Sequence, residues 1–137
     1  MRAFSLVEIL ITVALFTILI GLGLFMSMET FRGVGQRSEQ EVIVSLLEKA
    51  RSRAMNNIQQ SPWGVCAQAG VYAVFKGTTC NTLGDTFPAN PNATTAGLIS
   101  GVVFTQLSGT TTPTVITLTQ NSRTSTITIP YEGTLIW

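Results

Sequence analysis

Groups able to do chemistry are scarce in this sequence of 137 residues, and their positions decide what it can perform. Beyond residue 53 the only carboxylates are Asp85 and Glu132, so a glycosidase-type acid–base pair would have to be those two. Asp85 falls in a stretch rich in Thr, Asn and Pro, and Glu132 in Tyr131-Glu132-Gly133. Both compositions form loops, and each residue reads as a turn former before it reads as a catalyst. Histidine is absent. That removes imidazole-based triads, His-ligated zinc and the ordinary proton shuttle near neutral pH. No glycine-rich phosphate loop precedes a helical pattern, and two cysteines without histidine leave a metal short of ligands. The inventory points to a protein that is not an enzyme and needs no cofactor.

Eight Lys and Arg against seven Asp and Glu leave a formal net charge of +1, too weak a field to hold nucleic acid by phosphate neutralisation. Nine of the charges crowd between Glu29 and Arg53. Lys49, Arg51 and Arg53 cluster there, but Glu39, Glu41 and Glu48 interleave with the basic residues, as on a solvated helical face. A DNA-binding role would require Lys76 and Arg123 to join the arginines of this segment in one exposed patch.

Glu8 is the carboxylate in the wrong solvent. From Phe4 to Met28 the chain is apolar apart from small hydroxyl residues and Glu8, and the 20 residues from Ile9 to Met28 carry no charge. As a helix rising about 1.5 Å per residue, such a run spans a hydrocarbon core of about 30 Å. It is longer than the apolar core of a cleaved secretory signal and lacks a small-x-small exit near Met26 to Phe31. Arg2 on the short side puts the N-terminus in the cytoplasm and the residues after Met28 outside. A carboxylate in this run costs about 2.5 to 3.5 kcal/mol on insertion scales. Glu8 therefore either snorkels to the headgroups or has a partner.

Three zones position these groups. After the membrane run, residues 29–58 continue a helical pattern: Ile43, Leu47, Ala50, Ala54 and Ile58 recur at spacings of 4, 3, 4 and 4, with Leu46 beside them. The charged residues fall mostly off that stripe, with Glu48 and Arg51 three apart and opposite in sign. One helix from Ser5 to Ile58 is the simplest expectation. Residues 59–137 then alternate with the period of strands. Trp63 to Gln68 and Val71 to Lys76 read as a strand pair around Ala69-Gly70, and Val102 to Leu107, Thr114 to Gln120, Thr124 to Ile129 and Thr134 to Trp137 as four more. An antiparallel meander is expected, with Gly77 to Gly97 a long exposed loop that includes the formal glycosylation sequon Asn92-Ala93-Thr94. The fold class is α+β: a long helix packed on a small antiparallel sheet or sandwich. A head of this size often needs a staple. Facing an oxidising exterior, Cys66 and Cys80 are read first as a disulfide whose closed loop of about 15 residues contributes roughly 3 kcal/mol, with two free buried thiols as the alternative.

Ala3-Phe4-Ser5-Leu6-Val7-Glu8-Ile9-Leu10-Ile11 resembles the cleavage and assembly motif of type IV prepilins and type II secretion pseudopilins. The resemblance implies a leader of residues 1–3 and cleavage between Ala3 and Phe4 by a prepilin peptidase. It also implies N-methylation of Phe4, and a Glu8 carboxylate that meets the N-terminal ammonium of a neighbouring subunit and sets register. Where many major pilins carry a helix-breaking proline this chain has Phe25, flanked by Gly21 and Gly23. Ala50-Arg51-Ser52-Arg53-Ala54, the strand at Cys66, Val71-Tyr72-Ala73-Val74-Phe75 and the terminal Glu132-Gly133-Thr134-Leu135-Ile136 resemble minor pilins and H-type minor pseudopilins. What this implies is a pilin fold, and a structural subunit of a type IV pilus is the leading expectation. A minor pseudopilin of a type II secretion or DNA-uptake system comes second, and a single-span anchored binding protein is the reading from another class. The implied partners are other pilin subunits, the peptidase, an inner-membrane assembly platform and, before assembly, membrane lipid.

Overall fold

The computed structural model describes residues 5–81 and 83–137. The helix α1 is Leu6–Met55, and the chain divides into two compact units, Met1–Gly35 and Gln36–Trp137. No proline occurs before Pro62, so nothing removes a helical hydrogen bond along α1. The helix stops where Asn57 takes the left-handed conformation (φ 54°), which asparagine tolerates better than most residues. A single 3-10 turn, Ile58–Gln60, follows. The end lies three residues before the expected Ile58, and Ile58, placed by periodicity on the buried stripe, is instead exposed.

Among the described residues seven strands follow: β1 (Trp63–Gln68), β2 (Val71–Lys76), β3 (Leu83–Pro88), β4 (Ala93–Ala96), β5 (Val102–Phe104), β6 (Thr114–Gln120) and β7 (Arg123–Ile129). They form two antiparallel sheets in place of the expected meander, one of order β3-β2-β1-β5 and one of order β4-β6-β7. Three further expectations need correction. The segment Gly77 to Gly97 is not a plain loop, because β3 and β4 lie inside it as edge strands. Gly84, Asp85 and Pro88 are poor strand formers, and what holds β3 extended is its pairing with β2. The strand expected over Val102 to Leu107 ends at Phe104, since the residues after it serve α1. The Leu107 N–H donates to the Ala54 carbonyl at 2.9 Å, satisfying one of the open carbonyls at the helix end, and Gln106 donates from Nε2 to Asn57 Oδ1. The expected last strand, Thr134 to Trp137, is reduced to one bridge between Thr128 and Ile136.

One core joins the head. Ile43, Leu46, Leu47, Ala50 and Ala54 of α1 pack with Trp63, Val65, Tyr72, Val74, Val102 and Phe104 of the first sheet and Ile116, Leu118, Ile127 and Ile129 of the second. Alternation within the strands accounts for this. In β6, Ile116 and Leu118 are fully buried while Val115 and Thr119 are exposed.

The first sheet also buries part of its other face. Cys66, Ala73 and Phe75 form a second small cluster, covered in part by Cys80 and Val103. The Cys66–Cys80 disulfide, with its Cα atoms 6.3 Å apart, ties the segment after β2 to β1, as the oxidised reading of the two thiols requires. Glycine is obligatory at position 64, because a Cβ there would stand 2.6 Å from both the Phe75 ring and the Val102 carbonyl oxygen.

Removing the staple should be costly for so small a head. Cys80→Ala should lower the unfolding free energy of the full chain in detergent by about 3 kcal/mol. Urea denaturation followed by tryptophan fluorescence measures it, and a midpoint equal to that of the unaltered chain would show that the disulfide contributes nothing.

Candidate functional site

With no catalytic inventory, the candidate sites are surfaces. In the first unit every described side chain from Ser5 to Gly23 is exposed. The stretch Leu6–Gly23, 18 residues, is long and apolar enough to cross a membrane. Its polar groups are few and mostly satisfied. The Thr12 hydroxyl donates to the Ile9 carbonyl at 2.9 Å and the Thr17 hydroxyl to the Val13 carbonyl at 2.7 Å, so neither brings an unmet hydrogen bond into lipid. Glu8 is the exception, an exposed carboxylate in the first turn of α1, where the helix dipole favours negative charge. The Ser5 carbonyl accepts from the N–H groups of Glu8 (3.0 Å) and Ile9 (3.3 Å), which makes Ser5 the residue that opens the helix. Ser5 and Glu8 stand at capping-box spacing, a helix-start signal legible in Ser5-Leu6-Val7-Glu8 alone. Ala3 and Phe4, the expected cleavage and methylation residues, lie outside the described residues.

In the head the charges are sorted. Lys49 Nζ lies 2.8 Å and Arg53 Nη2 2.7 Å from the same oxygen, Asp85 Oδ2, so the two cations bind α1 to β3. Arg53 also stacks over the Trp63 ring at 4.8 Å, and Lys49 stands 5.8 Å from the centre of Phe87. The cluster that could have been a DNA-binding face is thus partly neutralised within the head. Arg51, expected to pair with Glu48, instead donates from Nη2 to the Glu132 carbonyl at 3.0 Å. Glu39 is buried and accepts the Asn90 N–H at 2.8 Å.

Asp85 is no turn former: it lies on β3, where hydrogen bonds first from Lys49 and then from Arg53 lower its pKa. A general acid needs the opposite shift. Glu132 sits exposed in the turn after β7, and a glycosidase pair finds no support. Burial is the main reason that the Tyr72 pKa is pushed up to about 12; its hydroxyl shares a 2.9 Å hydrogen bond with Thr95, which works the other way. Among the described residues no group of three Cys, Asp or Glu could hold a metal. A surface depression of about 490 Å³ is lined by Val103, Thr105, Thr110, Thr111, Thr112, Pro113 and Tyr131, and offers no carboxylate, amine or thiol. Asn92 of the sequon is exposed, its N–H held by Asn90 Oδ1 at 3.0 Å.

Residues 39–130, two thirds of the chain, match the family model described as Type II transport protein GspH. No curated protein and no solved structure matches the chain. The matched region begins in the second half of α1 and ends just after β7, so it coincides with the helix-on-sheets head and leaves out the apolar segment.

Two titrations check the electrostatics. With its folded pKa below the ordinary value of 3.8, Asp85 contributes stability that is whole above that pH and is lost as pH falls through the lowered value. Asp85→Asn should therefore flatten the acid limb of the stability profile below about pH 4, measured by thermal unfolding; an unchanged limb would remove the ion pair from the account. For Tyr72 the raised pKa means stability is whole below 10 and lost as pH rises toward about 12. In Tyr131→Phe, Tyr72 is the one remaining phenol, and its phenolate absorbance should titrate near 12.

Proposed function

The chain belongs to the type II transport protein GspH family, and on that premise we propose that it is a minor pseudopilin of a type II secretion system. The observation that carries this reading is the family match over the head. The N-terminal motif is common to pilins and pseudopilins and does not choose between them. The match therefore favours the secretion pseudopilin over the type IV pilus subunit that led the expectations from sequence. A type IV pilus subunit stays the second reading, since the motif at Ala3 to Ile11 is equally compatible with it.

In the proposed mechanism a prepilin peptidase removes residues 1–3 on the cytoplasmic side and Phe4 becomes the methylated first residue. The apolar helix holds the subunit in the inner membrane, with the head outside. Burial of that helix against the same segment of neighbouring subunits drives entry into the filament, since the large apolar side chains from Leu6 to Leu22 are exposed in the single chain. Glu8 meets the new N-terminal ammonium of a neighbour. At about 4 Å two unit charges attract by roughly 4 kcal/mol at an effective dielectric of 20, which is on the scale of the cost of placing the carboxylate in lipid. The pair sets register more than it adds stability.

Mass spectrometry of the membrane-extracted protein should find methylated Phe4 at the N-terminus. An intact Met1 would return the chain to the class of single-span anchored binding proteins. Glu8→Ala should leave the protein in the membrane and exclude it from filaments; normal incorporation would remove Glu8 from the mechanism. Deleting the chain should reduce export of secreted enzymes and leave surface pili in place, and the reverse outcome would favour the pilus subunit.

A further inference from the structure

The first sheet ends at β5, and the register of its ladder fixes which backbone groups that edge leaves open. Gln68 and Val71 close the two-residue turn Ala69-Gly70 as a bonded pair, so the N–H and C=O groups of Gln68, Cys66 and Gly64 point to β2. Those of Trp63, Val65 and Ala67 point the other way, and Ala67 donates on that side to the Leu98 carbonyl at 3.0 Å. Trp63 with Phe104 and Val65 with Val102 are therefore the bonded pairs between β1 and β5. Val103, opposite Gly64, turns its N–H and C=O away from the sheet. Thr105 faces the same way, and its N–H is taken by the Thr110 carbonyl at 2.8 Å. An antiparallel run onward from Thr110 would bring Thr112 to Val103. The chain leaves instead: Thr111 donates to the Tyr131 carbonyl at 3.0 Å, and Pro113 leads into β6. Among the described residues no backbone group meets Val103 on its open side. The gap is the depression of about 490 Å³ between Val103 and Thr105 on one side and the departing segment on the other. Tyr131, 63% exposed, also lines it, and no charged side chain does.

We propose that this gap binds an extended, uncharged segment of another protein, one residue of which pairs with Val103 as an added strand would. An open donor and an open acceptor on one residue match the acceptor and donor of one residue in an extended chain, at the spacing of a ladder. The Tyr131 ring and Pro113 offer apolar surface to a side chain beside that residue. The uncharged lining gives an ionic group nothing to pair with. A neutral sugar is the poorer fit. It has no use for the paired N–H and C=O, and the hydroxyls of Thr105 and Thr110 are already bonded to each other and to Ser108. With only Val103 open, the backbone pair selects an extended chain and the contact with Tyr131 supplies the apolar area. The site belongs to the single head and does not depend on the reading of the chain as a pseudopilin.

The test uses the full chain in detergent and a capped, fluorescent pentapeptide of alternating valine and threonine, with binding read by anisotropy. The peptide should bind, and methylation of its central amide nitrogen, which removes the donor to the Val103 carbonyl, should weaken it about fivefold. Val103→Pro removes the N–H on the protein side, at an edge position where proline is tolerated because the ladder makes no use of that group. It should weaken binding by a similar factor, whereas Val103→Ala, which keeps the N–H, should bind as the unaltered chain does. Tyr131→Ala should weaken the peptide as well. Circular dichroism shows whether the proline variant is folded, and if it is not, the methylated peptide asks the same question with the protein untouched. Equal binding of the methylated and unmethylated peptides would overturn the pairing with Val103. No binding of the pentapeptide, or its displacement by a neutral oligosaccharide that binds more tightly, would overturn the proposal as a whole. Tighter binding of a peptide of the chain's own residues 123–129 would assign the gap to a second copy and overturn the choice of another protein.

Discussion

The head is organised by the burial of one helical stripe against two sheets. Ile43, Leu47, Ala50 and Ala54 are fully buried, and the residues they meet come from β1, β2, β5, β6 and β7, strands that belong to different sheets. Besides the Tyr72–Thr95 hydrogen bond, the two sheets are joined through the core that they share with that stripe. Removing a large side chain from such a site leaves a cavity the surroundings fill only in part, and Leu47→Ala belongs to the class of changes that cost about 2 to 5 kcal/mol.

Around this core the polar groups act as local ties. Asp85 takes two cations of α1, Glu39 takes the Asn90 N–H, and Leu107 caps the Ala54 carbonyl, each joining the helix to a segment that has little apolar surface of its own. These ties explain why poor strand formers still adopt order. They also explain the placing of charge at the end of α1: Lys49, Arg51 and Arg53 turn toward the strands and loops, and Glu48 is left on the open side. The two signs interleave along α1, and that order conceals their separation in space.

Much of the fold was legible in advance because its causes are local. Helical spacing marked the buried stripe from Ile43 to Ala54, alternation marked β1, β2 and β6 with their observed bounds, and the cysteine pair in a small head marked the disulfide. What stayed hidden depended on distant partners. Asp85 is 36 residues from Lys49 and 32 from Arg53, and nothing in Leu-Gly-Asp-Thr-Phe-Pro announces a strand held by them. The short ATTA strand exists through its pairing with β6. The loss of the last residues of the fifth strand follows from their use as a helix cap, which no reading of strand propensity contains. At the N-terminus the membrane-length run was plain, while the choice between pilus and secretion filament rested on the head.

The disulfide also has a bearing on when the head is finished. It ties down the segment that helps to cover Phe75 on the outer face of the first sheet, and it forms only where an oxidant can take two electrons and two protons from Cys66 and Cys80. In the proposed topology that place lies beyond the membrane. The main core, made of helix stripe and strands, needs no such step, whereas the cluster around Phe75 lacks its covalent tie until the head has been translocated. Maturation would then be ordered by compartment, with the staple closing after the anchor is already in the bilayer and before the subunit joins a filament.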